Sequence, residues 1–448
     1  MLRPFALLAL LTAPLAAQSP LDGYVREGLR ANQGLVARRL ALASAEAGER
    51  EATGRWLPSV TVNARYSERS GNILDLGSLV NPAFRALNQL TGSNQFPTHL
   101  RLGQPFKQET SVRLLQPVFN PAVAAGSVIA RRVREAEALG VAGEARRLAA
   151  DIRLAYLDHA RAVRLTELHR ATLALLDENL RVTEALLANG VATPDALLRA
   201  RADRSEGVQR LADAERLVEA SREAFNLLLE RPLETEVLLA PDSALGIALP
   251  PERDTALARG LAAREELRQL EAGARVADGQ GRLAEAAFLP TVSLAIDYGF
   301  QGEDYDFGAR QDYLVASLVL QWNLFNGGQD RARRAQAVLA AERLRTERRA
   351  TARQVELEIR TAWASAEVSR QAVATAQDRL ASAERNYGLV ERRHREGAAS
   401  QVELIDARTA FTSARLNLVL TTYDYLARTV EFERAAALYP AQAPEGVE

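Results

Sequence analysis

Two stretches of the chain switch from a two-residue hydrophobic period to a helical one, and each keeps the helical period for a long way. Val60, Val62, Ala64 and Tyr66 alternate with Thr61, Asn63 and Arg65, while Val292, Leu294, Ile296 and Tyr298 alternate with Thr291, Ser293 and Asp297. Both read as strands with one apolar face. Residues 109–119 and 313–325 alternate less cleanly and read as return strands. The spacing predicts strands over 57–68, 109–119, 289–300 and 313–325, each about 9 to 12 residues, which is what a tilted strand needs to cross a bilayer. Trp56, Phe119, Phe288, Trp322 and Phe325 cluster at the strand ends, where an interfacial aromatic girdle belongs.

After each strand pair the helical pattern begins at a cap. Asn120 precedes Pro121, an N-cap with proline at the first helical position, and Asn326 precedes Gly327 and Gly328 at the corresponding place. No proline then interrupts the chain until Pro194, nor anywhere between Pro290 and Pro440. At about 1.5 Å per residue, a helix from Pro121 to Ala188 extends roughly 100 Å, too long for a compact globule. Heptad positions run through Leu165, Leu168, Thr172, Leu175, Val182 and Leu186, and again through Val402, Ile405, Leu416, Val419, Tyr423 and Leu426. Gly190 and Gly397 end the outgoing helices; Pro194 and Ser400 open the returning ones.

These elements recur in one order, which predicts an internal two-fold repeat. Trp56–Val60 corresponds to Phe288–Val292, Gln116–Asn120 to Trp322–Asn326, and Gly190–Arg201 to Gly397–Arg408. The first copy is longer between its first two markers by a Gly-, Asn- and Pro-rich stretch from Ser70 to Pro105, which reads as a loop. The expected organisation is a signal peptide over 1–17 and a first repeat over 18–229. That repeat comprises a helix over 21–54, its two strands and a helical hairpin over 121–229 with its tip at 189–193. A proline-rich equatorial linker over 230–253 follows. The second repeat, 254–438, has a helix over 254–286, two strands and a hairpin over 328–438 with its tip at 396–400; a tail over 439–448 ends the chain.

The signal peptide rests on Arg3, the apolar run Phe5–Leu11 and the small residues around Pro14, Ala16 and Ala17. An uncleaved anchor is the alternative, but that run is too short to cross about 30 Å of hydrocarbon as a helix. Beyond it the sequence has no apolar stretch of about 18 residues, so insertion in a membrane requires strands closed into a barrel. Four strands are too few, since the smallest barrels need about eight. Subunits must therefore share one barrel, with two, three or four chains equally compatible with the pattern.

Composition removes most chemistry. The 448 residues carry 56 basic and 57 acidic side chains, giving no net field for nucleic acid. Cysteine is absent, which excludes thiolate nucleophiles, disulfides and metal–thiolate sites. Lys107 is the only lysine and lies in no phosphate-binding loop. His159 and His169 are too far apart to ligate one metal from one helical turn and read as surface residues; no metal site or cofactor is expected. The acidic run Glu303–Gly308 reads as an outer hairpin loop rather than a calcium loop, lacking the remaining ligands. No convergent polar set suggests an enzyme.

The series of signal peptide, helix, F/W-L-P strand, return strand ending in Q-P-V-F-N or W-N-L-F-N-G-G, long helix and glycine turn resembles the TolC family of outer-membrane efflux and secretion channels. The resemblance spans essentially the whole mature chain. It implies a mostly α fold with membrane β: a homotrimer whose twelve-stranded outer-membrane barrel, four strands per chain, continues into a periplasmic α-helical barrel. It also implies a passive exit duct for a tripartite efflux pump or type I secretion system, with a periplasmic adaptor (membrane fusion) protein and an inner-membrane RND or ABC transporter as partners. The competing class is a periplasmic coiled-coil adaptor or scaffold without a pore, which would carry one helical hairpin rather than two and no bilayer-length strands.

By the same resemblance, Glu403 and Asp406, three apart beyond the Gly397 turn, match an acidic ring at the periplasmic entrance. Read from the residues alone they are equally a solvated helix face. The family's entrance latch is matched less well: its positions fall at His394, Ala399 and Ala196, leaving Asp195 with Arg393 or Arg395 as substitutes. The tips Asn189, Gly190, Val191, Ala192 and Thr193, and Glu396, Gly397, Ala398, Ala399 and Ser400, are the expected adaptor-docking surfaces.

Overall fold

The computed structural model describes residues 20–68, 76–100, 107–241, 251–302, 307–308 and 311–438. The signal peptide, residues 242–250 of the linker, residues 303–306 of the acidic loop and the tail 439–448 lie outside them. Thirteen elements follow one another among the described residues: α1 (Pro20–Ala31), α2 (Gln33–Gly54), β1 (Ser59–Tyr66), α3 (Leu76–Thr91), β2 (Gln108–Phe119), α4 (Pro121–Ala188), α5 (Pro194–Leu228), α6 (Arg253–Ala263), α7 (Glu265–Ala286), β3 (Thr291–Gly302), β4 (Asp312–Gln321), α8 (Gln329–Arg395) and α9 (Gln401–Ala435). The chain divides into two compact units, one comprising residues 1–43, 135–272 and 344–448 and the other 44–134 and 273–343.

The second unit holds the four strands in one antiparallel sheet of order β1-β2-β3-β4. Its register sorts the side chains cleanly. Val62 faces Val112, Val112 faces Tyr298 and Tyr298 faces Leu314; Val60 faces Leu114, Leu114 faces Ile296 and Ile296 faces Ala316. Directly opposed residues share a face, so the middle of one side of the sheet is apolar, with Gln116 and Thr110 on the flanking rows. That side is bare: Val62 is 70% exposed and Leu318 71%. Pro117 has no N–H for the ladder, and the β2–β3 register shifts between Pro117 and Phe119, a bulge at the end of β2.

Four helix segments of this unit succeed one another in the same order as the strands. Arg134 of α4 pairs with Glu49 of α2 at 2.7 Å, Ile129 of α4 packs on Gly279 of α7, and Arg334 of α8 pairs with Glu285 of α7 at 2.7 Å. The stretch expected as a loop is instead partly helical, as α3. Its asparagines explain why. Asn81 both donates to Leu100 O and accepts from Leu100 N at 2.8 Å, Asn88 brackets Phe96 in the same way at 2.7 and 3.0 Å, and Phe84 stacks on Phe96. The returning segment is thereby tied back on the helix.

The first unit is helical. Its larger core joins Tyr24 and Leu29 of α1, Ile152 and Tyr156 of α4, Phe225 of α5 and Val430 of α9. Phe225 meets Tyr24 edge-on with ring centres 5.1 Å apart. The described part of the linker is strapped onto this core. The hydroxyls of Tyr24 and Tyr156 accept from the backbone N–H of Leu238 and Ala240 at 2.8 and 2.7 Å, and buried Asn226 donates to Leu233 O and Thr235 O, both at 2.8 Å. A second core packs Ala256 of α6 against Val355 and Ile359 of α8 and Phe432 of α9.

Two helices expected to be continuous are broken. The segment 21–54 stops at Asn32, whose Oδ1 accepts from Leu35 N at 3.2 Å while its Nδ2 donates to Leu228 O at 3.2 Å. The segment 254–286 breaks at Arg264, which takes an extended conformation (φ −59°, ψ 126°). Buried, it donates to Ala435 O at 3.0 Å and to Glu266 and Glu358 at 2.9 and 3.0 Å. Both breaks are held by partners far away in sequence. His159 is a further correction: it is buried, its Nδ1 3.0 Å from Ser221 Oγ, and burial lowers its pKa.

Next to Arg264, Arg146 grips Glu265 through three contacts of 2.7 to 3.1 Å, with side chains only 10% and 6% exposed. Removing one partner strands the other charge away from water. Glu265→Ala is expected to lose about 3–5 kcal/mol in denaturant unfolding, whereas Arg146→Met combined with Glu265→Leu remains within about 1 kcal/mol of the parent or above it.

Candidate functional site

The other side of the sheet carries charge. Arg65 Nη2 lies 2.8 Å from Glu109 on the neighbouring strand, and Arg113 makes two contacts with Asp297, at 2.6 and 3.3 Å. Asn63 faces Ser111, and Glu109 faces Gln301. The register puts all of these opposite to the Val62 and Tyr298 face, so the sheet separates an apolar surface from one lined by paired charges and hydrogen-bonding groups. Each arginine is matched by a carboxylate one strand away, a favourable cross-strand pair. Such a face suits contact with water and hydrated solutes, and its opposite suits hydrocarbon. The polar alternation of Thr61, Asn63, Arg65 and Asp297 is visible in the sequence; the partnerships with Glu109 and Arg113 depend on register and are not.

The five aromatic residues gather at one end of the sheet. Trp56 precedes β1, Phe119 closes β2, Phe288 precedes β3, and Trp322 and Phe325 follow β4. In an antiparallel meander these positions coincide. Trp322 Nε1 donates to Phe288 O at 3.0 Å, and Gln116 Nε2 donates to Trp56 O at 2.8 Å, which fixes the backbone entering two of the strands.

The helical tips belong to the first unit. Gly190 and Gly397 adopt φ of +73° and +75°, a conformation that costs a residue with a Cβ. Each reverses the chain with the backbone bonds of a helix C-cap: Val191 N to Leu186 O at 2.9 Å, and Ala398 N to Arg393 O at 2.7 Å. Asn189, Val191, Thr193, Glu396, Ala398 and Ser400 are exposed, with Ala192 and Ala399 half-buried. Gln401 Nε2 donates to Asn179 Oδ1 at 3.1 Å, tying the start of α9 to α4.

The latch residues each have other partners within the chain. Asp195 is bonded by the Thr193 side chain and by backbone N–H groups of its own turn, which hold its carboxyl below the usual range. Arg393 donates to Ala398 O at 3.0 Å, His394 Nδ1 to Ala399 O at 2.9 Å, and Arg395 lies 3.6 Å from Glu391. Asp195 is thus not brought to any of the three basic groups; Arg393 and His394 brace their own turn. The acidic pair is divided in a similar way. Glu403 forms a capping box with Ser400, its carboxylate accepting from Ser400 N and its N–H donating to Ser400 Oγ, both at 3.2 Å. Asp406 is exposed one turn on. Among the described residues no cluster of His, Asp and Glu is placed to hold a metal ion.

Residues 256–437 match the family model described as outer membrane efflux protein. No curated protein shows a significant match to the chain. Among solved structures, the chain is similar to CusC, described for transmembrane channel formation, with a TM-score of 0.76 at 17% identity over 93% of this chain and 92% of that one. It is likewise similar to the outer membrane protein VceC of Vibrio cholerae, with a TM-score of 0.71 at 18% identity over 93% and 95% of the two chains. The open state of the MtrE outer membrane channel of Neisseria gonorrhoeae gives 0.74 at 18% identity over 93% and 88%. These likenesses establish the fold.

The cap at Ser400 is open to test. Ser400→Ala is expected to weaken the first turn of α9 by about 1 kcal/mol, seen as roughly fivefold faster amide exchange at Glu403 and Leu404 with exchange in the cores unchanged.

Proposed function

Because residues 256–437 carry the sequence pattern of an outer membrane efflux protein and the chain has the fold of solved outer-membrane channels, we propose that it is the passive exit duct of an efflux system in the outer membrane of a Gram-negative bacterium. The observation that carries this reading is the sheet, apolar on one side, charge-paired on the other and open at both edges. In hydrocarbon the outward N–H and C=O groups of β1 and β4 have no water to bond, so the sheet is viable only when copies pair β1 to β4. Three copies give twelve strands and a closed ring. Apolar rows then face lipid, and the Arg65–Glu109 and Arg113–Asp297 pairs face the lumen.

The helical hairpins extend into the periplasm in this reading. Their tips, 189–193 and 396–400, meet a periplasmic adaptor protein, and an inner-membrane transporter of the RND or ABC class supplies the energy. Glu403 and Asp406 of three copies place six carboxylates at the entrance, where cations concentrate. Arg393 and His394 stiffen the tip, and closure of the entrance by Asp195 requires a basic partner from a neighbouring helix pair. Nothing here requires chemistry by the duct itself. The description of the family matched by residues 256–437 supports an efflux channel, and a type I secretion system would use the same duct. A pore-less adaptor would have no use for an exposed apolar sheet of bilayer height.

Membrane fractionation and planar-bilayer recording test the reading: a trimer extracted by detergent that gives discrete conductance steps is expected, and a water-soluble monomer without conductance would overturn it. In the same recordings Asp297→Asn leaves Arg113 uncompensated and is expected to shift the reversal potential towards anions. Glu403→Gln combined with Asp406→Asn, which retains a capping-box side chain at position 403, is expected to lower cation preference without loss of stability.

A further inference from the structure

At the aromatic end of the sheet, inside the second unit, a cavity of about 470 Å3 opens between the start of α4 and the end of α7. Its origin is geometric. Neighbouring strands stand about 4.8 Å apart and packed helices about 8–10 Å, so two helices continuing from adjacent strands leave space at the junction. Gly279, at the end of the cavity away from the strands, lets α7 touch Ile129 of α4, and from there towards the sheet Ala124 and Ala125 are too small to fill the gap. The wall is formed by Trp56, Phe119, Pro121, Val128, Ala286 and Leu289.

Two further observations say what fits there. Phe119 is registered with Val292, which is registered with Leu320, so it belongs to the apolar face of the sheet and carries that face into the cavity. The rim holds two charged groups, Arg282 and Glu285. Glu285 is neutralised by Arg334 at 2.7 Å, whereas exposed Arg282 has no ion-pair partner among the described residues. An apolar recess at the level of the interfacial aromatics, with one uncompensated guanidinium at its mouth, matches an amphiphile with an acyl chain and a phosphate. The site also lies between the two inner helices of the α2-α4-α7-α8 succession, away from the β1 and β4 edges through which copies pair.

We propose that this cavity is a lipid site, holding an acyl chain of an anionic inner-leaflet phospholipid whose phosphate sits on Arg282. The proposal rests on the membrane reading above, and its test separates the two. The full chain carrying Trp322→Phe and Trp363→Phe, with Trp56 as its one tryptophan, is reconstituted in phosphatidylcholine vesicles containing a minor fraction of acyl-brominated phosphatidylglycerol or acyl-brominated phosphatidylcholine, and flotation of protein with the vesicles is scored first. Brominated phosphatidylglycerol is expected to quench Trp56 at about fivefold lower mole fraction than brominated phosphatidylcholine. Arg282→Gln should erase that preference, and Ala125→Phe, which fills the recess, should reduce quenching by both lipids. Equal quenching by the two lipids, or a preference that survives Arg282→Gln, in protein that floats would overturn the lipid site alone; protein that fails to float would overturn the membrane reading with it.

Discussion

Backbone hydrogen bonding at the two outer edges of the sheet is the constraint from which the rest follows. A strand in hydrocarbon has no solvent to satisfy its N–H and C=O groups, and four strands cannot bend far enough to satisfy one another. Copies paired edge to edge, as proposed above, would meet this, and the sequence of each is economical in consequence. In such a ring each strand need be apolar only on alternate residues, so the charge that a wet interior needs would fit between the apolar rows. Register then brings Arg65 to Glu109 and Arg113 to Asp297 on the face opposite the apolar rows.

The helices solve a different problem with the same economy. A helix as long as α4 or α8 cannot bury one stripe in a globular centre, and the residues that pack are small: Ala145, Ala149, Ala160 and Ala162 of α4, and Ala341, Ala366 and Ala376 of α8, are all buried. Large side chains concentrate in two places, around Tyr156 with Phe225 and around Ile359 with Phe432, where the shorter helices and the linker cover them. Polar anchoring is also concentrated there. The two tyrosine hydroxyls, Asn226, Arg146 and Arg264 all hold segments that are neither strand nor long helix.

Legibility in the sequence followed the range of the interactions. Strands such as 60–66 and 292–298 announce themselves because the pleat acts on alternate neighbours, and the long helices because proline is missing from their interiors and a glycine, Gly190 or Gly397, follows each. The helix α3 was hidden, since Pro82 and the surrounding glycines and asparagines resemble a loop; what makes it a helix is the bracing of Asn81 and Asn88 against chain up to 19 residues away. The breaks at Asn32 and Arg264 were hidden for the same reason, each depending on a carbonyl from a distant helix end. His159 looks like one more polar residue on a long amphipathic stretch until Ser221 of the returning helix is set beside it. At the tip, the capping box of Ser400 and Glu403 is a local motif that the sequence does display, and it gives Glu403 a structural duty whatever the entrance requires of it.

The single ε-amine of the chain also has a defined address. Lys107 stands just before β2, at the end of the sheet opposite the aromatic residues, 3.4 Å from Glu68 beyond β1. Every other basic side chain is a guanidinium or imidazole, neither of which keeps a stable acyl group from reagents that acylate amines under mild conditions. Apart from the terminal amine, each copy thus has one conjugation handle, at the end of the sheet opposite the aromatic residues, where a dye or tether can be attached without engineering.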